Sequence, residues 1–121
     1  MITIIDYKAG NLTSVQLAFE HIGVEVRITD KPAEILSAER VVFPGVGAAE
    51  TAMGTLRELG LVEPIREVAR AGVPFLGICI GMQLLFERSA EDGGVDCLGL
   101  LKGEVKKFRP KDAMCKIPQM G

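Results

Sequence analysis

Four times between Ile2 and Phe86 the chain alternates a short apolar run with a stretch whose apolar residues recur at helical spacing. Strand–helix units at such short intervals favour parallel strands joined by crossover helices, so this alternation constrains the fold more than any other feature. Residues 2–5, 24–29, 40–43 and 73–78 read as the strands. The second alternates Val24, Val26 and Ile28 against Glu25, Arg27 and Thr29, the mark of a half-buried strand. Gly10-Asn11 turns the chain after the first strand, with Asn11 placed to cap a helix carrying Leu12, Val15, Phe19 and Ile22, which Gly23 stops. Further helices are expected over 32–38, 48–59, 64–71 and 80–88. After Gly93-Gly94 the pattern shortens to runs at 98–101 and 104–108, which read as strands without helices between them. The expected class is α/β, a doubly wound and mostly parallel sheet with helices on both faces. In such sheets function collects at the C-terminal ends of the strands, here at 6–11, 44–48 and 78–82.

Composition narrows the function classes. Hydrophobic residues make up 48% of the 121 and aromatics only 5%, so a globular domain with an aliphatic core is expected. The net charge of −2 argues against a nucleic-acid partner. It is uneven: residues 1–100 sum to −6 and residues 101–121 to +4, a basic stretch that fits a solvated strand edge or a partner surface. The longest apolar stretch, 73–86, is interrupted by Gln83 and is shorter than the ~20 residues of a membrane span, so no membrane role is expected. Asp6 breaks the first apolar run and no basic segment precedes it, so no secretory signal is read. Cys79, Cys97 and Cys115 form no metal-site spacing. No metal or cofactor is expected, and a reducing, cytoplasmic setting is.

The sharpest local pattern is Gly77-Ile78-Cys79-Ile80-Gly81 at a strand-to-helix junction. This is the pattern of a nucleophile elbow, in which a strained turn presents one side chain and glycines flank it because nothing larger fits. Cys79 then sits at a helix N-terminus, which favours thiolate, and the Ile80 N–H is expected to be free for a developing oxyanion. Cys97 and Cys115 lack this context and read as structural. Pro44-Gly45-Val46-Gly47 is a poor phosphate loop, since Glu50 stands where a third glycine belongs and would repel phosphate. It reads either as a plain turn or as a backbone-donor loop. His21, the single histidine, is placed near the end of the first helix, at the sheet edge opposite the reactive loops. It therefore supplies no base for Cys79.

Three segments stand in order: Ile4-Ile5-Asp6-Tyr7-Lys8-Ala9-Gly10-Asn11, Pro44-Gly45-Val46-Gly47-Ala48, and Gly77 through Phe86. Together they resemble the class I glutamine amidotransferases, with their flavodoxin-like fold. Within that family the chain looks like the glutaminase subunits of imidazole glycerol phosphate synthases. The resemblance implies that residues 1–121 are the N-terminal part of a single type 1 amidotransferase domain. It also implies a role for each matching residue. Cys79 would be the nucleophile, Val46 (after a backbone flip) and Ile80 the oxyanion donors through their N–H groups, and Gly47, Gln83 and Glu91 would hold glutamine. Ammonia would pass to a (β/α)8-barrel cyclase partner in a heterodimer serving histidine biosynthesis. The family's catalytic His and Glu fall C-terminal to the residues present, so a truncated chain is expected. Lys8 replaces a usual Gly, Ala49 a usual Phe and Gln119 a usual His. Two other readings stay open: a non-catalytic, partner-binding relative, and a thiol hydrolase or redox sensor that shares only the elbow.

Overall fold

The computed structural model of the protein describes residues 1–9 and 12–108. Gly10, Asn11 with its expected cap, Cys115 and Gln119 lie outside the described residues. Four parallel strands form the main sheet: β1 (Ile2–Ile5), β2 (Val26–Thr29), β3 (Val41–Phe43) and β4 (Phe75–Gly77). Their order is β2-β1-β3-β4, with Ile2 opposite Val26, Ile4 opposite Val42 and Phe43 opposite Gly77. The order reverses between β1 and β3, so the segments that leave these strands diverge and leave a crevice at their C-terminal ends. The α/β expectation holds.

Helices α1 (Leu12–His21), α2 (Pro32–Leu36), α3 (Ala49–Glu58) and α4 (Val62–Arg70) connect the strands. The main core lies between α2, α3 and α4 and one face of the sheet. Ile5, Val41 and Phe43 pack there with Ile35, Met53, Leu56 and Ile65, all nearly or fully buried. On the opposite face Ile4 and Val42 are buried, whereas Leu76, next in register on β4, remains 51% exposed. At the far edge, Arg27 on β2 reaches the Glu34 carbonyl of α2 at 2.8 Å. The Thr29 hydroxyl donates to the Glu34 carboxylate at 2.6 Å and holds its carboxyl below the usual carboxylate range.

Beyond β4 the sequence reading needs correction. The helix expected over 80–88 is one turn, α5 (Ile80–Gln83), and the chain continues as strand β5 (Phe86–Ser89). The carbonyls of Leu84, Leu85 and Phe86 accept the amides of Leu98, of Leu100 and Leu101, and of Gly99. With its carbonyls engaged from outside, the helix cannot propagate. The run at 98–101 is this connecting segment rather than a strand, and Gly99 turns it with a φ of +68°. The strands here are β6 (Val95–Asp96) and β7 (Leu101–Val105), not 104–108. They flank β5, β6 antiparallel and β7 parallel to it. At the other strands the differences are small. β2 starts at Val26 because the Val24 N–H turns back to the Phe19 carbonyl after Gly23.

Candidate active site at the elbow

Cys79 follows β4 directly and adopts a φ of +55° and ψ of −120°. An L-residue is strained there, and such strain persists only where the surroundings enforce it. The surroundings are the two flanking glycines. A Cβ on Gly77 would lie 2.7 Å from the Met82 Cα, and one on Gly81 would lie 1.8 Å from the Phe43 carbonyl oxygen. Both glycines are therefore required by volume, as the sequence pattern predicts. The turn lifts Cys79 out of the sheet and leaves it exposed, while Cys97 is buried and its thiol is pushed up by desolvation. Since α5 is a single turn, its dipole supplies less support to Cys79 than the longer expected helix would.

Cys79 opens onto a cleft of about 570 Å³ whose walls also include Gly47, Ile80, Gln83 and Glu91. Five of the six sequence-derived site residues thus meet in one depression. Val46 does not join them; it lines a neighbouring cavity with Lys8 and Ala9 and is 56% exposed. His21 sits in the last turn of α1. It precedes β2, whose first residue Val26 is opposite Ile2, so it lies where the strands begin, away from Cys79. Among the described residues no group of three or more His, Cys, Asp or Glu could hold a metal ion.

The two expected oxyanion donors are both occupied. Contrary to expectation, the Ile80 N–H is not free: it donates to the Gly45 carbonyl at 3.1 Å. The reason is the close packing of the 44–48 segment on the elbow, which leaves Gly81 no room for a side chain. The Val46 N–H donates to the Ala9 carbonyl. The Gly45 carbonyl and the Val46 N–H belong to one planar peptide unit. A single peptide therefore closes both positions.

Sequence reasoning missed several residues around this site. Ser89, Lys106 and Lys107 line the cleft because β5 and β7 stand beside the elbow, a placement that depends on the strand pairing beyond β4. Tyr7 stands out in the sequence only as one member of a motif. It is 1% exposed, donates its hydroxyl to the Pro44 carbonyl at 2.6 Å, and stacks at 5.1 Å on Phe43. Burial, and secondarily the neighbouring Cys79, push its pKa far up, so it remains a donor. A lone tyrosine at a strand C-terminus, in a chain with only one, was the available signal. Glu91 shares the cleft, yet one of its oxygens is already engaged, accepting the Ala49 N–H at 3.1 Å.

Comparison with known proteins agrees with this geometry. The chain is 54% identical over 120 residues to the imidazole glycerol phosphate synthase subunit HisH of Moorella thermoacetica, covering 99% of this chain and 56% of that protein. It is 49% identical over 121 residues to the same subunit of Dehalococcoides mccartyi, covering 58% of that protein. The chain thus spans a little over half the length of these curated relatives. Among solved structures, one described as a crystal structure of glutamine amidotransferase superposes with a TM-score of 0.73 at 20% identity, over 88% of this chain and 57% of that one, which supports the fold. The profile of the family Glutamine amidotransferase class-I matches residues 3–117. That match takes in both segments that meet at Cys79, and the chain belongs to the class I glutamine amidotransferase family.

Proposed function

We propose that the protein is the glutaminase part of an imidazole glycerol phosphate synthase, acting on glutamine through Cys79. The observation that carries this reading is the enforced left-handed turn at Cys79, which faces a cleft shared by Gly47, Gln83 and Glu91. Identity of about half the residues with HisH subunits, along the whole chain, supports the specific assignment. Within this reading the Cys79 thiolate adds to the side-chain carboxamide carbon of glutamine. The carbon–nitrogen bond then breaks, the leaving nitrogen takes up the proton that the thiol gave up, ammonia departs, and a glutamyl thioester remains. Water cleaves the thioester, releasing glutamate and restoring the thiol.

The tetrahedral intermediate needs N–H donors where its oxygen develops. Rotation of the Gly45–Val46 peptide would withdraw the Gly45 carbonyl from the Ile80 N–H and detach the Val46 N–H from Ala9 in one movement. Gln83 and the free oxygen of Glu91 would receive the polar groups of the amino acid. The reaction also needs a general base, and His21 is not placed to be one. Ammonia would pass to a barrel cyclase partner in a cytoplasmic heterodimer.

A general base typically contributes ~10²–10⁴-fold to such a reaction. The test is therefore stoichiometric modification rather than turnover. A glutamine-derived chloroketone should label Cys79 ahead of Cys97 and Cys115, and glutamine should protect it in a saturable way. Labelling that ignores glutamine would overturn the substrate assignment. Failure to co-purify with a barrel cyclase at low salt would count against the partner.

A further inference from the structure

The 44–48 loop is tied at both of its ends by side chains from distant parts of the sequence. At its entry the buried Tyr7 hydroxyl donates to the Pro44 carbonyl at 2.6 Å. The fit beneath the loop is close: a Cβ on Gly45 would lie 2.1 Å from that hydroxyl. At its exit the Glu91 carboxylate accepts the Ala49 N–H at 3.1 Å. Ala49 opens α3, and Ala48 before it has no side-chain cap to offer. A first-turn amide left without an intrahelical partner is well served by a carboxylate. Glu91 is itself held, because its N–H donates to the hydroxyl of the buried Ser89 at 3.2 Å. Between the two ties lie Gly45, Val46 and Gly47. Gly47 has a φ of +101° and, its chain neighbours aside, no atom within 4 Å of where its Cβ would be.

We propose that Tyr7 and Glu91 are positioning residues that fix the two ends of this loop and confine its change of shape to rotation of the Gly45–Val46 peptide. The Pro44 carbonyl and the Ala49 amide stay bonded while the peptide between them turns. The Ile80 and Val46 amides are then released together, in one event, and the loop cannot drift off the elbow. One Glu91 oxygen serves the loop, and the residue also lines the cleft. The consequence for catalysis rests on the glutaminase reading, whereas the clamp itself rests only on these contacts.

Amide hydrogen exchange on the 121-residue chain tests the clamp without any substrate, with the sheet amides of Ile4 and Val42 as internal references. In the parent chain the Val46 and Ile80 amides should open with equal free energy, their protection agreeing within about twofold, because one rotation exposes both. Tyr7→Phe keeps the ring and removes the tie. It should lower Val46 and Ile80 protection about tenfold or more beyond the change at Ile4 and Val42, which follow global stability, and make the two unequal. Glu91→Ala should expose the Ala49 amide, and Glu91→Gln should restore its protection, since an amide oxygen still accepts.

A kinetic arm separates positioning from binding. Tyr7→Phe should reduce the limiting rate of Cys79 modification by the glutamine chloroketone about tenfold, with half-saturation moved less than about twofold. Its rate with iodoacetamide, which needs no oxyanion site, should not change. Glu91→Gln should instead weaken half-saturation, because the charge facing the amino acid is removed. Val46 and Ile80 protection unaltered in Tyr7→Phe, or Ala49 equally exposed in Glu91→Gln and Glu91→Ala, would overturn the proposal. A clamp seen by exchange together with no preference for the glutamine reagent would sink the glutaminase reading alone.

Discussion

Two turns meet at the C-terminal edge of the sheet, and they are held by different forces. The elbow after β4 is fixed by volume: Gly77 and Gly81 each have backbone atoms where a Cβ would go, and Cys79 is forced to a positive φ between them. The 44–48 loop after β3 is fixed by hydrogen bonds, to Tyr7, Ala9, Ile80 and, just past its end, Glu91. Its outer residues have space, with Val46 exposed and Gly47 unobstructed. Steric exclusion does not relax, whereas hydrogen bonds exchange at a net cost of only about 1 kcal/mol each. On the proposed glutaminase reading, the contrast suits a site in which the nucleophile stays still and the groups that receive charge move. It also orders the outcomes of mutation.

The elbow should be the least tolerant position. Gly81→Ala sets a methyl group 1.8 Å from the Phe43 carbonyl oxygen, which is backbone at the end of β3 and cannot step aside. A loss of about 3 kcal/mol or more is expected, since overpacking of this kind displaces the backbone. Urea unfolding followed by circular dichroism would measure it. A loss below about 1 kcal/mol would mean that the elbow is held by something other than volume.

Tyr7→Phe comes next, because the tie it breaks is buried. The Pro44 carbonyl would be left without the hydroxyl that donates to it, and an unsatisfied buried polar group costs about 1–3 kcal/mol. The ring packing on Phe43 is retained, so the same unfolding experiment isolates the hydroxyl. If Tyr7→Phe proves as costly as Gly81→Ala, the loop is as rigid as the elbow and the comparison fails.

Gly47→Ala probes the loop where volume is not limiting. Beyond its chain neighbours nothing lies within 4 Å of the added methyl, yet the φ of +101° disfavours any side chain. The expected loss is about 1 kcal/mol, from backbone conformation alone. A neutral result would show that the loop has re-formed with Gly47 at a negative φ, which the exchange rate of the Val46 amide would report.

How far these features were legible in the sequence follows the same division. The four-stranded sheet was legible because its strands and helices carry their own periodicity, and the elbow was legible because a steric demand for glycine is written as glycine. The state of the loop was not. That the Ile80 N–H is spent on Gly45, and that Glu91 reaches the start of α3, depends on how segments far apart in sequence come to lie side by side. The strand β5 reads as helix in the sequence for a related reason. Leu84, Leu85 and Phe86 have helix-compatible spacing, and only pairing with residues 98–101 decides otherwise. Tyr7 falls between the two cases, since its position was visible but its partner lies 37 residues on.

The smallest effect is expected at Lys8, where the segment that receives the Val46 N–H begins to turn. Lys8 holds a φ of +63°, and its N–H donates to the Asp6 carboxylate at 3.2 Å. Lysine occupies a position that suits glycine, and the left-handed conformation costs a residue with a Cβ roughly 1–2 kcal/mol. Glycine gives back part of that gain through the greater freedom of the unfolded chain. Lys8→Gly should therefore stabilise the protein by only about 0.5–1 kcal/mol, read as a rise in the urea midpoint with an unchanged slope. Because Ala9 is the next residue, the substitution also asks whether the acceptor of the Val46 N–H is held in place by strain or by hydrogen bonding. A gain in stability with Val46 protection unchanged assigns it to hydrogen bonding, alongside the rest of the loop. A gain accompanied by faster Val46 exchange would place this acceptor with the elbow, among the parts of the site that are held by force.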